Sequence, residues 1–367
     1  MQQLTIAYNY PMHNMTTPDN KARLLLDGHE TFSAVKDALE HARHCINLEY
    51  FSFRDDETGR AIAGILAERS RNGVKVRMIT DALGSWRLGR KFIHGLVSSG
   101  VEFRRFMPLT IHRDHRKIIT VDGVTGFLGG FNIGDVYLRD WRDTHLQLEG
   151  DSVRELDRIF SGMWRLSGGN DTRDFPDHEG AGITGSVPVR IVAGGEGGDF
   201  RAVHDEYMRI ISRSRKRIWI TTPYFAPDSE FIDALCHAVE RGVNVRIIIP
   251  SSSNHALVSW ASQSYIDGLI SHGVRVFIYV GRFIHAKTMI ADSHVASVGT
   301  ANLDALSFGI NYEVQAFVYS TELVRELEGV FLEDLGSCTE ETLETRADRP
   351  AMLRLKERIG RLLSFML

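Results

Sequence analysis

Apolar residues recur along this chain with two alternating periods. Phe32, Val35, Leu39 and Ala42 sit three or four apart, the spacing of one helical face. The run 45–51 then reads as a strand, and Ile62, Ile65 and Leu66 mark a second helix. Asn72-Gly73 ends that helix, and Val74, Val76 and Met78 alternate as the next strand. The pattern returns later. Phe200, Val203, Tyr207 and Ile210 form a helical stripe, 217–222 a strand, 228–241 a helix and 243–249 a strand. Helix and strand in alternation predict an α/β fold, with sheets that are mixed, mostly parallel and flanked by helices.

The return is a duplication. Gly73 within Arg-Asn-Gly-Val-Lys-Val-Arg matches Gly242 within Glu-Arg-Gly-Val-Asn-Val-Arg at an offset of 169. His115-x-Lys117 recurs as His285-x-Lys287 at an offset of 170, and the segment 153–160 recurs as 324–331 at 171. Three matches at nearly one offset imply two similar halves, at a period too long for a solenoid. Periodicity fades in 167–185, where Gly, Asp, Thr and Pro accumulate, so the expected domains are 1–180 and 181–367. Pseudo-twofold packing would bring matching motifs face to face, where pockets commonly form.

Composition narrows the class. Hydrophobic residues make up 43% and charged residues 25% of 367, the balance of a globular protein, and the net charge of −4 argues against a dedicated nucleic-acid binder. Cys45, Cys236 and Cys338 are too scattered for a metal or disulfide framework and suit a reducing cytosol. No run of about 18 apolar residues predicts a membrane span, and residues 1–27 lack the pattern of a signal peptide. Membrane contact is therefore expected to be peripheral, on the cytoplasmic side.

The chemistry lies in the repeated motif. His115-Arg-Lys117-Ile-Ile-Thr-Val-Asp122 is followed by Gly129-Gly130-Phe131-Asn132, and His285-Ala-Lys287-Thr-Met-Ile-Ala-Asp292 by Gly299-Thr300-Ala301-Asn302. An acid follows each motif, Asp143 and Glu313, each 28 residues after its histidine. Residues two apart on a strand share a face, so His and Lys can address one phosphate. Neutral imidazole is a competent nucleophile toward phosphorus, and a second imidazole can move protons. Lys117, Lys287, Asn132 and Asn302 suit the non-bridging oxygens. Asp143 and Glu313 suit the remaining imidazole N–H and would fix its orientation. The candidate catalytic set is thus His115, Lys117, Asp122, His285, Lys287 and Asp292. Within it the two Asp, five residues past each Lys, read as acids that hold backbone near a turn. This chemistry needs no metal and no cofactor, and His112 beside His115 reads as pocket lining rather than as a metal ligand.

This constellation resembles the phospholipase D superfamily, marked by a duplicated His-x-Lys-x-x-x-x-Asp with Gly-(Gly/Ser/Thr)-x-Asn after it, and most of all bacterial cardiolipin synthases. The resemblance covers nearly the whole chain after residue 20, including Trp141-Arg-Asp-Thr-His145, Thr222-Pro-Tyr-Phe225 and a C-terminal Arg-Leu-Leu-Ser. It implies two phospholipase D-like α/β halves and transfer of a phosphatidyl group from one phosphatidylglycerol to a second lipid or polyol hydroxyl through a phosphohistidine. It also implies that His115 is the nucleophile and His285 the acid. The partners would be anionic phospholipid and a membrane surface, not nucleic acid. The alternative is a phospholipase D-type phosphodiesterase that hydrolyses phospholipid or nucleic acid.

Three other features have two readings each. The aromatics of 49–51 and 223–225 either pack the core or line the pocket. The basic run 209–217 is a solvated helix face or a phosphate patch. The tail 351–367 carries Arg354, Lys356, Arg358 and Arg361 among Leu355, Ile359, Leu362, Leu363 and Met366, an amphipathic helix that either packs on the protein or lies on anionic lipid.

Overall fold

Local signals set the element boundaries. Asp56 accepts a hydrogen bond from the Gly59 N–H and starts a helix that buries Ile62, Ala63 and Leu66 and ends at Asn72, ahead of Gly73 at φ 89°. A computed structural model describes residues 16–108, 111–170, 185–253 and 255–363. The first half runs β1 (Asn20–Leu25), α1 (Gly28–Glu40), β2 (Cys45–Tyr50), α2 (Glu57–Arg71), β3 (Lys75–Asp81), α3 (Arg90–Ser98), β4 (Glu102–Phe106), β5 (Lys117–Val121), β6 (Thr125–Gly129), α4 (Asp135–Arg139), β7 (Trp141–Arg142), β8 (His145–Gly150) and α5 (Asp151–Leu166). The second half opens with β9 (Val189–Gly194), α6 (Ala202–Arg213), β10 (Arg217–Thr221), β11 (Phe225–Ala226), α7 (Ser229–Glu240), β12 (Asn244–Pro250), α8 (Ala256–Ser271) and β13 (Arg275–Tyr279). It continues with β14 (Phe283–Ile284), β15 (Thr288–Ala291), β16 (Val295–Gly299), β17 (Leu303–Asp304), α9 (Ala305–Gly309) and β18 (Glu313–Tyr319). It closes with α10 (Thr321–Leu335), β19 (Cys338–Glu341), α11 (Leu343–Ala347) and α12 (Ala351–Leu362).

The strands form two mixed sheets, ordered β1-β8-β6-β5-β2-β3-β4 and β19-β13-β12-β10-β15-β16-β18-β9. The expected α/β halves are present, but the sheets are not mostly parallel. Parallel pairing is confined to β2-β3-β4 and β10-β12-β13, where helices make the crossovers, and every other pairing within these two sheets is antiparallel. The cause is turn chemistry. Asp122 and Gly123 both adopt positive φ (54° and 66°) and fold β5 back on β6 as a hairpin, and Asp292 does the same at 52°. Alternating hydrophobicity identifies a strand but not its direction.

Strand alternation also divides the core. Ile119 and Val121 of β5 face the outer helices with Leu39, Ile62 and Leu66, while Ile118 faces the other half. There Ile118, Leu128, Leu146 and Leu148 share one core with Ile290, Val298, Val314 and Ala316, so the two sheets pack face to face. The halves are also laced together. Thr17 pairs with Val189, and Asn20 donates to the Val187 carbonyl at 3.1 Å and accepts from the Ser152 N–H at 2.7 Å. Most of the expected boundary segment, residues 171–184, lies outside the described residues.

The tail forms α12 and packs on α8. Gly360 makes this possible, since a Cβ there would lie 2.5 Å from the Ala261 nitrogen, and Lys356 and Arg361 lie over the Trp260 and Tyr265 rings. The apolar stripe is not what packs. Met352, Leu355, Ile359 and Leu362 stay 64%, 51%, 41% and 75% exposed. Residues 364–367, with Met366, lie outside the described residues.

Candidate active site

The two motif aspartates build the frame. Asp122 accepts from the backbone N–H groups of Arg43, His44 and Cys45 at 2.7–2.9 Å, and Asp292 from those of Arg215, Lys216 and Arg217 at 2.7–3.2 Å. Each carboxylate thus ties the motif hairpin to the start of the neighbouring strand, at the opposite strand end from the His-Lys pair.

The histidines sit where the halves meet, each beside a two-residue seam. The His115 N–H donates to the Tyr312 carbonyl at 3.0 Å, and the Tyr312 N–H to the Arg113 carbonyl at 2.8 Å. In the matching place β14 pairs in parallel with β7, and the His285 N–H donates to the Arg142 carbonyl at 2.7 Å. These seams exchange the acids. His115 Nδ1 lies 2.9 and 3.1 Å from the two oxygens of Glu313, and His285 Nδ1 lies 2.7 Å from Asp143 Oδ2. Each imidazole is oriented by a carboxylate of the other half. With Nδ1 so engaged, Nε2 is the ring nitrogen left for chemistry.

The acids differ in their support. Glu313 also accepts from Thr300 Oγ1 at 2.5 Å and Ser307 Oγ at 2.8 Å, and it is fully buried. Asp143 accepts from the Thr144 N–H at 2.8 Å. Gly130, the counterpart of Thr300, admits no side chain, because its Cβ would lie 2.2–2.6 Å from the Asp143 carboxylate.

The lysines complete the cluster. Lys117 Nζ donates to the His115 carbonyl at 2.5 Å, and Lys287 Nζ to the His285 carbonyl at 2.6 Å while lying 2.8 and 2.9 Å from the His285 ring nitrogens. Burial lowers Lys117 to about 8 and Lys287 to about 7, against the pull of the nearby acids. Burial also lowers His115, opposed by Glu313, and holds His285 well below its ordinary value, with help from the charges of Lys287, Lys117 and His115. The two motifs therefore share one electrostatic environment, with both imidazoles neutral near pH 7. Burial raises Asp143 to about 6, with Lys287 opposing, which leaves it ionised at that pH.

The asparagines are buried close by. Asn132 Oδ1 accepts from the Ser52 N–H at 3.1 Å, which leaves its NH₂ as the free end, whereas Asn302 Oδ1 has no partner among the described residues. Aromatic rings wall the site. Phe51 packs edge-on against His115 at 5.0 Å, and Trp141 lies tilted against His285 at 4.4 Å. Tyr224 lies 6.4 Å from His285, so of the paired aromatic runs Phe51 and Tyr224 line the site while Tyr50 and Phe225 are core. His145 is fully buried, has neither ring nitrogen hydrogen-bonded among the described residues, and is lowered to about 4 by burial. His112 instead hydrogen-bonds the Ile310 carbonyl at 2.6 Å and stacks on Phe200. Among the described residues the one cluster with metal-ligand spacing is His204, Asp228 and Glu230, outside this site, where Arg201 already bridges the two acids. In the basic run 209–217, Arg209 pairs with Glu206 and Arg217 with Glu328.

Two α/β halves meeting on paired His-x-Lys strands define the class, a phospholipase D-type enzyme. The chain belongs to the family described as cardiolipin synthase, PLD-like domain, whose model matches residues 35–164 and 207–335. It is 40% identical to a cardiolipin synthase of Geobacillus sp. (strain WCH70), over 95% of this chain and 72% of that protein. It is 37% identical to the major cardiolipin synthase of Bacillus subtilis, over 96% and 76%. The fold matches that of the phosphatidylserine synthase of Haemophilus influenzae with a TM-score of 0.74 at 14% identity, over 100% of this chain and 99% of that one.

Proposed function

We propose that this protein is a phosphatidyltransferase of cardiolipin synthase type, which moves a phosphatidyl group from one phosphatidylglycerol to a second lipid or polyol hydroxyl. The observation that carries the reading is the crossed pair of His–acid contacts with a lysine beside each histidine. His115 Nε2 attacks phosphorus, and the bond from phosphorus to the glycerol oxygen breaks. Bound phosphate raises the proton affinity of His285, which delivers a proton to that oxygen. The acceptor hydroxyl then attacks the phosphohistidine, His285 takes its proton, and the P–N bond breaks. His115 is placed first on family resemblance. Its carboxylate has three side-chain donors, which suits the imidazole that must become cationic. Lys117, Lys287 and the Asn132 and Asn302 amides hold the non-bridging oxygens.

We further propose that the enzyme works peripherally at an anionic membrane surface, on its cytoplasmic side. No helix among the described residues is long and apolar enough to cross a membrane. The exposed stripe of α12, flanked by Arg354, Lys356 and Arg358, suits in-plane lipid contact. Incubation with phosphatidylglycerol vesicles and mass spectrometry of the products is the test. Cardiolipin and free glycerol are expected. Phosphatidic acid alone would make the enzyme a hydrolase, and unchanged lipid would overturn the reading.

A further inference from the structure

The duplicated halves differ at the rim of the site. In the first half β3 and β4 are parallel neighbours with Asp81 opposite Phe106, and the Ala82 N–H donates to the Phe106 carbonyl at 2.9 Å. The loops that follow them therefore leave the sheet side by side. They expose Leu83 at 58%, Trp86 at 65%, Met107 at 75% and Ile111 at 69%. Isolated exposed apolar residues are ordinary, but four large ones on two adjacent loops are not.

This exposure does not come from slack packing. Asp81 Oδ1 accepts from the Leu83 and Gly84 N–H groups at 2.8 and 2.9 Å, and Ser85 Oγ donates to the Phe51 carbonyl at 3.0 Å. Gly84 rests on Phe51 so closely that a Cβ would lie 2.2 Å from that carbonyl. Phe51 is the wall of His115 at 5.0 Å, and the second loop runs directly into His115. The first loop is thus fixed to the nucleophile's side of the site, and the second leads to His115 itself. Their charge is of one sign. Arg87 lies over the Trp86 ring at 4.9 Å, Arg90, Lys91 and Arg113 are close in sequence, and neither 82–91 nor 107–113 contains an acid.

The equivalent loop of the other half, after β12, is polar. It reads Ser251-Ser252-Ser253 and, past residue 254, His255, whose ring lies 6.3 Å from Tyr224 near His285. After β13 the exposed large apolar residue is Val280 alone, among the described residues.

We propose that Leu83, Trp86, Met107 and Ile111 form the surface that enters an anionic bilayer. A donor phospholipid then reaches His115 over this rim, and the serine-rich rim stays at head-group level. Apolar side chains that penetrate, with cations on the same loops, match the acyl boundary beneath anionic head groups. This rests on the phosphatidyltransferase reading above.

The test uses the full chain and phosphatidylglycerol vesicles with brominated acyl chains, which quench tryptophan that enters them. The chain holds five Trp, so the readout is wild type minus Trp86→Phe. The expected result is a quenched Trp86 component with phosphatidylglycerol and little with neutral phosphatidylcholine. In a Leu83→Ser/Trp86→Ser variant, turnover of a soluble phosphodiester should stay within about twofold of wild type, and turnover on vesicles should fall at least tenfold. An unquenched Trp86, or vesicle turnover unchanged in the variant, would overturn the rim. So would a dimer that becomes monomeric in the variant by sedimentation, which would make the surface a contact between copies. If wild type cleaves no phosphodiester at all, the transferase reading fails, and Trp86 quenching still decides the rim on its own.

Discussion

Replacing Glu313 by Gln keeps the shape of the group that orients His115 and removes its charge. Glu313 is fully buried and accepts from His115 Nδ1, Thr300 Oγ1 and Ser307 Oγ. A Gln carbonyl in the place of Oε1 keeps the His115 and Ser307 contacts, and the Thr300 hydroxyl, which then faces the NH₂, can turn its proton to the Val314 carbonyl and accept, so the fold should survive. Lost instead is the negative charge beside an imidazole that becomes cationic when it bonds to phosphorus. A hydrogen bond to a charged group contributes about 1.5–3 kcal/mol, which converts to a loss of about 10- to 150-fold in rate. The assay is kcat/KM on a soluble phosphodiester against pH, with KM followed separately. KM should hold within about twofold, because the carboxylate touches the histidine and not the substrate. The pH profile supplies a second readout. His115 must be neutral to attack, so activity rises with pH through its titration. Glu313 raises that titration against the lowering effect of burial. Removing the charge should therefore move the acid limb to lower pH while the plateau falls. An unchanged plateau, or an acid limb moved to higher pH, would refute the role given to Glu313.

Gly130→Ala should cripple turnover by at least tenfold in a protein that still folds, because the new methyl displaces Asp143 from His285; circular dichroism and steady-state rates check it. Asp122→Ala should act on stability instead, since three backbone N–H groups lose their acceptor and Ala must hold φ 54°. A cost of about 2–4 kcal/mol in denaturant unfolding is expected, with residual activity tracking the folded fraction. On the alkaline side kcat/KM should fall as pH passes from about 7 to about 8, where Lys287 and Lys117 lose their protons, and Lys287→Arg should move that limb upward. Leu355→Ser/Ile359→Ser on α12 should leave thermal stability unchanged, because neither side chain is buried, and should weaken binding to phosphatidylglycerol vesicles in a sedimentation assay. Unaltered vesicle binding would remove α12 from the membrane surface.

Much of this was legible in the chain because each signal was local. Helical spacing at Phe32 and Val35, the Asn72-Gly73 stop and the complete His-x-Lys repeats depend on neighbours within a few residues, and each lies where it was read. The place of Asp122 and Asp292, past the strand, also follows from counting alone. What escaped depends on distant partners. Equal spacing of 28 identified Asp143 and Glu313 but not which histidine each serves, because the seams that exchange them are two-residue contacts with no periodicity. The difference between Gly130 and Thr300 looked neutral until each met the acid behind it. The tail showed its stripe, yet only the fit of Gly360 against Ala261 shows that the stripe points outward.

The exchange of acids across the seams has a consequence for how such a duplicated gene can change. On the proposed chemistry, a half that lost its acid would disable the histidine of its sister rather than its own. Neither copy is therefore a spare. The usual freedom of a duplicate, to drift while the other carries the work, is closed. Yet the residues around the exchanged pairs have diverged, Gly against Thr, Asp against Glu, Trp-rimmed loop against serine-rich loop. Fusion of the halves kept each hostage for the exchange and left the walls around it free to specialise.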